Sequence, residues 1–292
     1  MFKEIFEGLY LLKVPFGDSW TGVTLVDDDE KVLIDSGSRL EDCDEYIIPA
    51  LNELGYKLED ITYLTNTHSH GDHIGSYYRI KELCPKIKVV ASESDKDNVE
   101  NPAQKAISIR TKYPEYSPAP QSYLKGVKVD IVLKSGESLT KRLSIIETPG
   151  HDSGCVCWYD KKTKTIITGD SIQGNGTPTQ GIAFYQSLDD YRSSMHRLLN
   201  MDIDNIICGH DYDSIGSIIK GKDNVKKALE LSLTITNVYQ KYINNRLSEG
   251  MNSAGDIAVK MINDLGCGMP PKLFMAVYTV NEHINKYKEE IL

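Results

Sequence analysis

No stretch of this 292-residue chain approaches the roughly 20 consecutive apolar residues that cross a bilayer as a helix, so no membrane-spanning segment is expected. The opening 20 residues break their apolar content with Lys3, Glu4, Glu7 and Lys13 and lack the apolar core of a secretory signal, which predicts a cytoplasmic protein. Cysteine is sparse and scattered, at positions 43, 84, 155, 157, 208 and 267. Such spacing excludes the dense disulfide framework of small secreted domains and predicts free thiols. Cys155 and Cys157 stand too close for a usual zinc pair and read as small core residues on one face of a strand. Basic residues are also outnumbered, 33 Lys and Arg against 42 Asp and Glu, and the net charge of −9 disfavours non-specific binding to nucleic acid or anionic lipid. Histidine is scarce as well, with seven in all, yet three of them fall between residues 68 and 73.

The chain is long enough for one large domain, or for a domain of about 200 residues with an appendage. Its first third predicts a β-meander over residues 8–37, a helix over 43–54 closed by Gly55, and a short buried strand at 61–65. The segment HIGSYYRIKEL has helical spacing up to Pro85, KIKVVAS reads as a strand, and a helix-like stretch after Ser92 is expected to give way at Pro102. Residues 113–123, with three prolines and three tyrosines, predict a loop that either covers a site or merely connects. A second set of β segments follows from Lys128, then an amphipathic helix over 188–200 and a last strand, NIICGHD. Beyond Ser217 strand signals are absent, and three helical stretches are expected: 223–246 with Asp223 as N-cap, 254–265 and 271–290.

The β segments end repeatedly on ligand-type residues: His68 and His70 after ITYLTNT, His151 after IIETPG, Asp170 after IITG, and His210 after IICG. Strand ends fix positions while leaving a metal accessible. In extended chain His68 and His70 point the same way and can bind one ion, whereas Asp72 and His73 lie past the turn at Gly71 and can address a second. Imidazole and carboxylate ligands suit zinc, and iron or manganese also fit. Asp35, in LIDSG, reads either as a carboxylate that orients a ligand imidazole or as a turn residue. Ser69 and Ser153 read as loop residues, and His196 and His283 as surface or packing histidines.

The run His68-Ser69-His70-Gly71-Asp72-His73 resembles the H-x-H-x-D-H motif of the metallo-β-lactamase-fold hydrolases, in the branch of glyoxalase II and related β-lactamase-like proteins. His151 in TPGHDSG, Asp170 in ITGDS and His210 in CGHD extend the resemblance over roughly residues 1–215. What it implies is an α/β (α+β) fold, a four-layer αββα sandwich with a helical C-terminal extension, divided into a catalytic unit over 1–215 and the extension over 216–292. It also implies two divalent metal ions, zinc first: His68, His70 and His151 around one, Asp72, His73 and His210 around the other, and Asp170 bridging. The nucleophile would then be hydroxide held between the ions, with Asp72 as the catalytic residue that orients it and shuttles a proton.

The activity so implied is hydrolysis of a small ester, thioester or lactone. A mononuclear iron oxidoreductase of the persulfide dioxygenase type, using His68, His151 and Asp170, is the alternative from another class. A phosphodiesterase or nuclease and a non-catalytic binding protein are the others. A small-molecule substrate is the expected partner, with neither nucleic acid nor membrane, and the helical extension is a candidate surface for a homodimer.

Overall fold

The computed structural model describes residues 1–291, among which no helix is long and apolar enough to cross a membrane. Seven strands build the first sheet in chain order: β1 Lys3–Phe6, β2 Leu9–Phe16, β3 Ser19–Val26, β4 Lys31–Ile34, β5 Ile61–Thr65, β6 Lys88–Ser92 and β7 Ile131–Leu133. Tight hairpins make β1 to β4 antiparallel, and helical crossovers make β4 to β7 parallel. The second sheet contains β8 Leu143–Glu147, β9 Val156–Asp160, β10 Thr165–Gly169, β11 Asn205–Tyr212 and β12 Gly216–Lys220, ordered β12-β11-β10-β9-β8. Only β10 and β11 run parallel, and the helix between them supplies their crossover.

Side-chain alternation along the strands assigns each face. Leu9, Leu11, Val32, Ile34 and Val90 meet Ile145, Trp158, Ile167 and Ile207 between the sheets. Leu12, Val14, Leu25, Leu33 and Val89 point the other way, under α1 Ile48–Glu53 and α3 Tyr77–Leu83. On the far side Cys157, Ile166, Ile206 and Cys208 pack beneath α6 Leu188–Leu199, α7 Lys222–Ser248, α8 Ala254–Asp264 and α9 Phe274–Ile291. Four layers result, α/β/β/α. The six cysteines are free, and Cys155 and Cys157 are buried as small core residues.

Several local expectations change. The segment HIGSYYRIKEL is two helices, α2 Gly71–Ile74 and α3, parted at Gly75 and Ser76. Gly75 donates its N–H to Gly37 O at 2.9 Å, and a Cβ there would collide with the Ser38 carbonyl. Backbone thus lies on backbone, which no helical pattern announces. Pro102 opens a helix instead of ending one: after α4 Lys96–Glu100, it is the first residue of α5 Pro102–Lys112, where its missing N–H costs nothing. The sheet also continues beyond Ser217, because Gly216–Lys220 pairs antiparallel with β11 and buries Ser217 and Ile219. Five residues on a sheet edge carry too little alternation to stand out. The long helix starts at Lys222, one residue ahead of its expected cap Asp223, after Gly221 turns the chain at φ +89°.

Gly75→Ala should force α2 away from the Ser38 backbone. A destabilisation of about 1–3 kcal/mol is expected from such overpacking, measured as a lower urea midpoint at unchanged slope.

Candidate metal centre

The end of β5 is fastened to both sheets before it reaches His68. Asp35, just beyond β4 and buried in a left-handed conformation at φ +64°, accepts from Thr67 N and Thr67 Oγ1, each at 2.8 Å. From the second sheet, Val156 N donates to Thr67 O at 2.8 Å and Trp158 Nε1 to Asn66 O at 3.0 Å. His68 and His70 therefore leave a strand end held by four hydrogen bonds. Asp72 and His73 follow on α2, His151 sits in the β8–β9 loop, Asp170 comes directly after β10, and His210 lies within β11. All seven expected residues converge.

His68, His70 and His151 form one group and Asp72, His73 and His210 another, while Asp170 joins His68 and His73 between them; within each triplet the potential ligand atoms lie within 4.8 Å of one another. Asp170 faces both ways: Oδ1 is 3.3 Å from His73 Nε2 and 3.4 Å from His210 Nε2, and Oδ2 is 3.6 Å from His151 Nε2. Asp72 Oδ2 stands 3.3 Å from His210 Nε2. Ring orientation is set from outside the cluster. His73 Nδ1 donates to Asp35 Oδ2 at 2.9 Å and His210 Nδ1 to Trp20 O at 2.7 Å, while His151 Nδ1 lies 2.9 Å from Phe184 O and 2.6 Å from Gln173 Nε2. With Nδ1 so engaged, each ring turns Nε2 inward as a ligand atom.

Two observations show that this donor set fits divalent cations. His68 Nε2, His73 Nε2 and Asp170 Oδ1 are buried with no hydrogen-bond partner, and His151 Nε2 faces His70 Nδ1 at 3.0 Å. Buried polar atoms are rarely left so. Charge balance points the same way. Burial pulls His68 below its ordinary range and His151 down to about 4, against the pull of Asp170, so both rings are neutral. Burial also opposes charge on His73 and His210, yet the carboxylates win: Asp170, Asp35 and Asp72 hold His73 well up, and Asp170 and Asp72 raise His210 to about 10. The carboxylates therefore favour positive charge at those two rings, a role that a bound divalent ion would take over.

Sequence reading misses the support around His70. His70 Nε2 is 3.5 Å from Asp152 Oδ2, and Asp152 is held by buried Lys105, whose Nζ also lies 3.5 Å from Asp95 Oδ1. Asp95 in turn accepts from Ser69 Oγ at 2.6 Å and Asn66 Nδ2 at 2.7 Å, which gives the loop residue Ser69 a structural role. Adjacency of Asp152 to His151 is the one available signal. Gln173 likewise bridges, its Oε1 accepting from Phe184 N at 2.6 Å. Ser153 and His196 are exposed, and His283 is buried with Nδ1 donating to Gln240 Oε1 at 2.7 Å. Asp35 proves to orient an imidazole.

The centre opens into a cavity of about 370 Å³, whose wall beyond the histidines includes Phe16, Ile109, Arg110, Phe184, Phe274 and Met275. Pro118 and Gln121 of the 113–123 loop reach it, as do Pro271 and Lys272 ahead of α9. The start of α9 thus helps to shape the cavity.

Comparison with known proteins agrees with this fold. The family model of the metallo-beta-lactamase superfamily matches residues 21–210. YobT of Bacillus subtilis (strain 168) is 34% identical over 137 residues, covering 44% of this chain and 53% of YobT, so the match spans about half of that relative. The acyl-coenzyme A thioesterase MBLAC2 of Homo sapiens is 25% identical over 71% of this chain and 80% of its own length. Among solved structures, the metallo-beta-lactamase family protein TTHA1429 from Thermus thermophilus superposes with a TM-score of 0.77 at 21% identity, covering 98% of this chain and 95% of that one, which shows a shared fold.

Removal of the Asp35 carboxylate should loosen Thr67 and His73 together. Asp35→Ala is expected to weaken zinc binding by about 10–100-fold in a chelator competition titration, as loss of a carboxylate that orients a ligand histidine does.

Proposed function

The chain belongs to the metallo-beta-lactamase superfamily, and from that premise we propose that it is a two-metal hydrolase, zinc-dependent in the first instance, acting on a small ester, thioester or lactone. The observation that carries the reading is the pair of triplets, each with two buried members and one half-buried, that flank Asp170. His68, His70 and His151 would hold one ion, Asp72, His73 and His210 the other, and Asp170, with an oxygen toward each group, would lie between them. Bound there, the ions supply Lewis acidity, which polarises a carbonyl and lowers the pKa of water to about 7.

The protein's own groups do the rest. Asp72 is the more accessible of the two central carboxylates, at 20% against 5% for Asp170, and it lines the cavity. That position suits it to take a proton from the attacking water and return it to the departing thiolate or alkoxide. Water adds across the acyl bond, giving a carboxylic acid and a thiol or alcohol. Phe184 covers the His70 and His151 side, with its ring stacked at 10° to His70, and keeps bulk water from that flank. The thioesterase relative favours a thioester among the substrates. A cavity of about 370 Å³ on a chain of net charge −9 favours a small molecule over a nucleic acid. In this reading the helical extension that follows β12 completes the substrate pocket through Pro271, Lys272, Phe274 and Met275.

A screen of metal-loaded protein over thioesters, esters, lactones, phosphodiesters and β-lactams tests the proposal. Turnover is expected in one of the first three classes. Asp170→Ala should lower kcat/KM by more than the roughly 100-fold that loss of a supporting carboxylate costs, since it touches both ligand groups. Undiminished turnover in that variant at full metal loading would refute the bridging role. Oxygen uptake on a persulfide, in place of hydrolysis, would replace the whole reading.

A further inference from the structure

Arg110 differs from the other six arginines of the chain. Arg39, Arg79, Arg142 and Arg246 donate to carboxylates, Arg192 to Thr236 and Asn237, and Arg197 to a backbone carbonyl. Arg110 has no acceptor among the described residues, and its Nη1 is buried without a partner. What holds the guanidinium is Phe274, whose ring centroid lies 3.8 Å from Cζ. Both residues line the cavity of the metal centre.

The wall between Arg110 and the histidines is aromatic. The rings of Phe274 and Phe184 lie 6.2 Å apart, and Phe184 lies 4.9 Å from His151. A ligand with its acyl carbon at the histidines and an apolar segment along these two rings brings its far end to the guanidinium. Lys272, exposed and without an ion-pair partner among the described residues, lines the same cavity and adds to its positive charge. A guanidinium stacked on an aromatic face keeps its planar fork in one orientation, which matches the paired oxygens of a carboxylate or phosphate. An oxyanion would also supply the acceptor that buried Nη1 lacks.

We propose that Arg110 anchors an anionic group on the substrate, at the end remote from the bond that is cut, so that the site selects acidic acyl esters or thioesters over neutral ones. Carboxylate and phosphate share the chemistry. The nature of the cleaved bond rests on the hydrolase reading above, whereas the anion site is measured by binding alone.

The experiment is calorimetric titration of the metal-loaded full chain with three uncleavable amide isosteres of a short acyl thioester, ending in a carboxylate, a phosphate monoester or a neutral carboxamide. The wild type is expected to bind one anionic isostere at least about tenfold more tightly than the carboxamide. Arg110→Met, which keeps length and packing against Phe274, should bring that ratio close to one, and Arg110→Lys should retain part of it. The preferred anion distinguishes the two sources. Absence of any anionic preference in the wild type, or its persistence in Arg110→Met, would overturn the proposal. A surviving preference for anions in a protein that hydrolyses none of the parent thioesters or esters would instead count against the hydrolase reading alone.

Discussion

The centre depends on one buried carboxylate. Asp35 takes three hydrogen bonds, two from Thr67 and one from His73, and so joins the end of the first sheet to the short helix that follows it. Four of the seven metal-type residues lie between those anchor points or just beside them, at 68, 70, 72 and 73. Its left-handed backbone is uncommon for a non-glycine residue, and the three bonds are what hold it there. A turn that would be strained alone becomes the fixed point of the site.

From this point the architecture explains the ligand arrangement. The first sheet delivers a compact cluster, because strand β5 and helix α2 are adjacent in the chain. The second sheet delivers His151, Asp170 and His210 singly, each from a different strand or strand end. Packing of Leu9, Ile34 and Val90 against Trp158, Ile167 and Ile207 holds the two contributions in register. A cavity between sheet edges is thereby lined from both sides, and α5 and the start of α9 close it. Those last elements carry Arg110 and Phe274, so the part of the cavity wall proposed to select a substrate lies on different elements from the metal-type residues.

Much of this is legible in the sequence, for a physical reason. Strand alternation and the position of ligand-type residues at strand ends are local properties, so the layers and the seven converging side chains can be read from short windows. What escapes is non-local or geometrically special. The break at Gly75 is required by the Ser38 backbone, which no neighbouring residue encodes. Strand β12 is recognised through its pairing with β11, and the support of His70 through Lys105 and Asp152 joins residues far apart in the chain. Pro102 reads as a stop in sequence because its effect depends on whether a helix lies before or after it. The contact of Arg110 with Phe274 cannot be inferred from either residue alone.

The central claim is that these side chains hold two ions, with Asp170 between them. Elemental analysis of protein produced without metal supplementation, normalised to chain concentration, tests it most directly. The expected result is about two divalent ions per chain, mainly zinc, falling most strongly in Asp170→Ala. A single tightly held iron per chain, with the Asp72, His73 and His210 group empty at saturating zinc, would contradict it.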